Sequence, residues 1–171
     1  MSGAMGWSGM PEQQPDGHGI VEPSTRIAYL VRMLANALNQ QVEQALRPVG
    51  LTQAQLAALG QLAICAEGWL SGAELGRRAG ITAQGMSTAL AGLQSRGLVE
   101  RGPHPSRGRV IRVWITEDGR RLLERAQRLT APVDMRATAL LSVDEQRQLR
   151  EFLLRAMAGV GVQAPGTEET A

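Results

Sequence analysis

The stretch SGAELGRRAGITAQGMSTALAGLQSRGLVER, residues 71–101, decides how the chain folds. Ser71 with Glu74 has the spacing of an N-terminal capping box, and Gly80 after Ala79 is a natural C-terminal stop, so the first helix here is short. Thr82 opens a second helix whose apolar positions Met86, Leu90 and Leu93 fall on one face, and Gly97 after Arg96 closes it. Two short helices joined by a tight glycine-containing turn form a helix-turn-helix. Directly afterwards Leu98–Arg101 and Val110–Ile115 read as strands, the second alternating Ile111, Val113 and Ile115 with Arg112 and Trp114. The link 102–109 is rich in Gly, Pro and Arg, which makes this a hairpin with a basic tip.

Upstream, Ile27, Leu30, Val31, Leu34, Leu38, Val42, Ala45 and Leu46 recur at three- and four-residue steps, predicting one long amphipathic helix from Ser24 to Pro48. Thr52 with Gln55 starts another, with Leu56, Leu59, Leu62 and Ala63 on one face and an end before Gly68. Downstream, a helix from Thr116 through Leu122, Leu123, Ala126 and Leu129 should break or kink at Pro132. A last helix begins at the Ser142–Glu145 capping box and carries Leu149, Phe152, Leu153, Ala156 and Val160 as its apolar stripe. The expected fold is mainly α: a winged helix-turn-helix with a small β-hairpin wing and an additional helical dimerisation region. The expected organisation is a flexible arm over 1–23, a dimerisation helix over 24–50, the winged module over 51–115, C-terminal dimerisation helices over 116–162 and a disordered tail over 163–171.

Composition narrows the function. The 171 residues suit one compact domain or two small ones and exclude a large multidomain enzyme. With 43% hydrophobic residues but only five aromatics, the core is aliphatic and helical rather than sheet-rich. All 18 basic residues are arginine, a side chain suited to phosphate and guanine, although a biased genome composition gives the same result. The single cysteine, Cys65, fits a reducing cytosol and forbids an internal disulfide. The start of the chain lacks the pattern of a signal peptide, and the longest uncharged run, Pro48–Ala66, is too polar for a membrane span, so a cytoplasmic location is expected. The net charge of +2 hides a division: residues 71–128 hold 11 Arg and 5 acids, and the remainder holds 7 Arg and 11 acids. A solvated basic surface is one reading of such a cluster. Its coincidence with a motif whose second helix fits the major groove makes duplex DNA the better one.

Four segments then resemble the MarR-type winged-helix regulators, over about residues 25–160. They are Leu51–Leu56, Gly72–Ile81, Arg96–Arg101 and Ile115–Gly119, in that family's order and spacing. The resemblance implies an obligate homodimer, joined by its N-terminal and last two helices, that presents two lobes to a near-palindromic operator and often releases it on binding a small molecule. It maps the recognition helix onto Thr82–Arg96, with Thr82, Gln84, Ser87 and Thr88 toward DNA, where a glutamine suits adenine. Thr88 and Gly92 stand where the family often carries arginine, and Arg107 where it usually has aspartate, while Arg109 matches. The wing's two arginines should therefore be drawn to phosphate or the minor groove.

Other constellations are weaker. Tyr29, Met33 and Trp69 are candidates for an apolar pocket that takes an aromatic effector, or are plain core. Cys65 is an inert thiol or a redox sensor. His18 and His104 lack any paired ligand spacing, so no metal is assigned, and without a phosphate loop or nucleophile motif neither cofactor nor catalysis is expected. The cation-free recognition helix leaves one further alternative, a dimeric winged-helix adaptor that binds protein.

Overall fold

The computed structural model describes residues 26–104 and 110–162. Its elements are helix α1 (Ile27–Leu46), a 3-10 turn (Arg47–Val49), α2 (Gln53–Ile64), strand β1 (Leu70–Ser71), α3 (Gly72–Ala79), α4 (Ala83–Ser95), β2 (Val99–Pro103), β3 (Ile111–Ile115), α5 (Glu117–Ala137) and α6 (Val143–Gly159). The chain forms two units, 1–34 and 35–171. In the first, Arg32 lies over the Tyr29 ring at 5.2 Å, and Ile27, Leu30, Val31, Met33 and Leu34 are exposed along α1.

Helix starts are set by hydroxyl caps: Thr52, Ser71, Thr82, Thr116 and Ser142 each accept a hydrogen bond from the amide three residues on, using a donor that the first helical turn otherwise leaves unpaired. Between α3 and α4 the turn needs Gly80 in the left-handed region (φ 64°), and Gly76 lets the Ile81 carbonyl approach so closely that an added Cβ would lie 2.9 Å away. The helix-turn-helix closes on Leu75, Met86, Leu90 and Leu93, all essentially buried, together with Leu59 and Leu62 from α2. Each such side chain contributes about 1.5–3 kcal/mol by leaving water.

The sheet has three antiparallel strands in the order β1-β3-β2. The alternation in β3 holds, with Val113 and Ile115 buried and Arg112 and Trp114 on the opposite face, although Ile111 at the open end is exposed. The expected hairpin gains a third member, since Leu70 pairs with Val113 and Ser71 with Arg112. The α5 helix starts hard against the hairpin: Thr116 donates from its amide to the Leu98 carbonyl and from its hydroxyl to the Gly97 carbonyl, and a Cβ at Gly119 would come 2.2 Å from the Leu98 oxygen.

Three expectations need correction. Pro132 does not end α5, which runs on to Ala137. The missing amide costs one hydrogen bond, whereas continuation buries Val133 beside Ala126 and Thr130 on one face. Ser71 and Glu74 form only half a capping box, because the Glu74 carboxylate turns instead to Arg77 and Arg78. The strands are shifted by a residue or two, β2 reaching Pro103 and β3 starting at Ile111. The readings for the arm 1–23, the tail 163–171 and the wing arginines Arg107 and Arg109 lie outside the described residues.

Candidate nucleic-acid interface

Helix α4 separates its two faces cleanly. Met86, Ala89, Leu90 and Leu93 are buried, while Gln84, Ser87 and Thr88 are exposed together, as the sequence placed them. Thr82 is held by its own cap, its hydroxyl accepting from the Gly85 amide, and Thr88 donates back to the Gln84 carbonyl at 3.1 Å. That leaves the Gln84 and Ser87 side chains as the disengaged groups of this face. No residue of α4 is charged. Arg96, at its end, donates to the Gly50 and Val49 carbonyls at 2.6 and 3.1 Å, tying α4 to the turn before α2.

The cations sit around α4 instead. On α3, Glu74 accepts from Arg77 at 2.6 and 3.0 Å and from Arg78 at 2.6 Å. Those guanidinium hydrogen bonds, Arg77 first, hold its carboxyl down at about 2. At the wing, the last described pairing is the His104 amide on the Val110 carbonyl, 2.9 Å. Its root is braced on the outer face of the sheet, where the Trp69 ring meets the His104 ring and Arg112 lies 5.9 Å from both the Trp69 and the Trp114 rings. Trp114 in turn donates from its indole to Glu100 at 3.0 Å.

A residue not singled out from the sequence stands on the inner face. Arg101 pairs with core-facing Val113 in the register, and period two places it on the same side as buried Val99. That placement was the available signal: an arginine in phase with the core. Its Nε and Nη2 are buried without a hydrogen-bond partner, and the side chain lines a cleft of about 290 Å³ with Ser87, Ala83, Leu90, Ile111 and Val113. Buried donors left unpaired are uncommon and costly, which sets this arginine apart on the wall of the cleft.

The other candidates fall elsewhere. Trp69 is taken up by the wing root, and Tyr29 and Met33 stand on α1, Met33 half exposed. Cys65 is half-buried at the end of α2 and donates from Sγ to the Trp69 carbonyl at 3.2 Å. Among the described residues no three His, Cys, Asp or Glu side chains gather as a metal site would require, and no helix is long and apolar enough to cross a membrane.

A helix-turn-helix flanked by a three-stranded wing, with an apolar inner and a polar outer face on its second helix, defines a winged-helix transcriptional regulator. The chain belongs to the MarR family, whose model matches residues 49–110. The transcriptional repressor Rv2887 of Mycobacterium tuberculosis is 35% identical over 127 residues, 74% of this chain and 90% of that protein. The crystal structure of Rv2887 in complex with salicylic acid matches with a TM-score of 0.62 at 34% identity, covering 77% of this chain and 96% of that one. A probable transcriptional regulator from Pseudomonas aeruginosa matches with a TM-score of 0.70 at 28% identity, over 79% and 99% of the two chains.

Proposed function

We propose that the chain is a cytoplasmic, homodimeric, non-enzymatic repressor that reads a near-palindromic DNA operator and is released from it by a small aromatic acid. The observation that carries this reading is the outer face of α4, where Gln84, Ser87 and Thr88 stand exposed on a helix locked to the core behind them. Gln84 supplies the amide that pairs bidentately with adenine, Ser87 and Thr88 supply hydroxyls, and Thr82 fixes the entry of the helix. Arg107 and Arg109 of the wing add phosphate or minor-groove attraction. The apolar stripes on α1 and α6, including Phe152 and Leu153, find their cover in a second copy.

Release follows from the position of Arg101. A carboxylate in its cleft would be held by the charge of the Arg101 guanidinium on its wall while the aromatic ring packs on Leu90, Ile111 and Val113, and a volume of about 290 Å³ suits a molecule of the size of salicylate. Ser87 lines this cleft and also belongs to the reading face, so ligand and DNA compete for one residue. Such a ligand shifts the equilibrium only by its preference for the DNA-free protein.

The test is selection of bound fragments from a random duplex pool, followed by titration of the selected operator with salicylate. An enriched palindrome that salicylate displaces, and that an Arg101→Met variant retains in its presence, supports the reading. Failure to enrich any sequence, with binding that ignores salt, would instead favour the protein-binding adaptor that the uncharged α4 suggests.

A further inference from the structure

Glycine in the interior of a helix is unfavourable, and one use that offsets its cost is a close approach that no side chain permits. At Gly92, in the last turn of α4, the approach is that of Gln55: a Cβ there would lie 2.6 Å from Gln55 Nε2. The Gln55 amide is oriented by the capping box of α2. Its Oε1 accepts from the Thr52 backbone N–H at 3.1 Å, while the Thr52 hydroxyl accepts from the Gln55 backbone N–H at 3.2 Å. This leaves the NH₂ end extended over Gly92, and among the described residues it meets no acceptor. Gln55 and Gln84 line the same open groove of about 440 Å³, with Thr52 and Thr88. The groove thus presents two carboxamides, one on α4 and one delivered from α2 across a glycine.

We propose that Gln55 is a second sequence-reading residue, whose fixed NH₂ group donates to a base acceptor, guanine O6 or N7 or thymine O4, at a base pair adjacent to that read by Gln84. The inference rests on the DNA-binding reading above. Because Oε1 is engaged and oriented by the cap, Gln55 leads with its NH₂ donors, which favours a single donated bond over the bidentate adenine pairing open to an unconstrained glutamine. Its preset orientation also means that little side-chain entropy is lost on binding. The room that Gly92 leaves is therefore filled by an uncharged reader that comes from another helix.

The experiment is selection from a random duplex pool by the full-length chain and by three variants, Gln55→Glu, Gly92→Ala and Gln84→Ala, each first shown to melt cooperatively. Gln55→Glu keeps the oxygen that caps Thr52 but loses the donor, so discrimination at one base pair should fall about tenfold and turn toward a donor such as cytosine N4. Gly92→Ala favours the helix and pushes the Gln55 carboxamide out of its set position, so it should relax the same base pair. Gln84→Ala should relax a different one. Should Gln55→Glu fail to fold, Gly92→Ala carries the test alone. An unchanged preference in both variants, or a loss equal on operator and random duplex, overturns the proposal and makes Gln55 a phosphate contact or a cap. A wild-type chain that enriches no sequence fails at the earlier step, overturning the repressor reading and this inference with it.

Discussion

The edge of the Trp69 ring meets the ring of His104, centroids 5.0 Å apart at 66°, so the segment before α3 grips the wing at the last pairing before its tip. The same indole faces the Arg112 guanidinium. An aromatic pair contributes about 0.5–1.5 kcal/mol and an exposed cation–π contact about 0.5–1 kcal/mol. Trp69→Ala should therefore lower the melting temperature by a few degrees and weaken DNA binding beyond that stability loss, while Trp69→Phe should restore most of both. Calorimetry alongside a binding titration checks this.

Glu74 makes a pH prediction with a definite sign. Its carboxyl titrates near 2 in the folded chain and near the ordinary carboxylate value when unfolded, so its stabilisation is complete above about pH 5 and disappears as the pH falls toward 2. The exposure of Arg77 limits the effect to about 1 kcal/mol. Glu74→Gln should be less stable than the wild type at pH 7 and equal to it near pH 2. Urea melts at the two pH values measure the difference.

Gly119 tolerates no side chain, because the nearest atom is the Leu98 backbone oxygen and Ile115 Cγ1 lies 2.8 Å from the same point. Neither neighbour can rotate away as a flexible side chain would. Gly119→Ala should cost roughly 1–3 kcal/mol despite the better helix propensity of alanine. The corresponding Gly60→Ala, which meets nothing within 4 Å, should be neutral or stabilising, and comparing the two separates strain from propensity.

Dimerisation is tested on α6, where Phe152 is 58% and Leu153 41% exposed in the single chain. Aspartate at either position should give a monomer or an aggregate in sedimentation experiments. An intact dimer from Phe152→Asp and from Leu153→Asp would place the interface elsewhere.

Direct readout should appear as a loss of about 1–3 kcal/mol for Gln84→Ala on the selected operator, with little change on random duplex. Replacing Arg107 and Arg109 with alanine should act in the opposite manner, weakening binding to every sequence and flattening its salt dependence by up to about two units per subunit. Titrations at several salt concentrations distinguish the two behaviours.

The helices were legible because the starts of α2 to α6 each carry a hydroxyl and the apolar faces repeat at helical spacing, as in Thr82 followed by Met86, Leu90 and Leu93. What escaped depends on partners far along the chain. Leu70–Ser71 is too short to show alternation and becomes a strand only because β3 lies beside it. Glu74 has the spacing of a capping box, and only side-chain geometry reveals that two arginines outbid the Ser71 amide for it. Pro132 obeys its local rule in losing a hydrogen bond, yet the burial of Val133 outweighs it. Of the candidate interface, periodicity gives only the buried side of α4, and Gln84, Ser87 and Thr88 come from the family resemblance, whereas the Arg101 cleft and the Gln55–Gly92 juxtaposition require the packing of separate elements.

The tight joint at Leu98, Thr116 and Gly119 makes α5 and the wing one mechanical piece. With 21 residues, α5 is a lever about 30 Å long whose fulcrum is the carbonyl from which β2 departs. A swing of an ångström or two at its far end corresponds to a tilt of only a few degrees at the joint, and with no slack between Gly119 and Leu98 that tilt passes into the hairpin. A tilt of α5 about this joint would therefore change the aim of the wing.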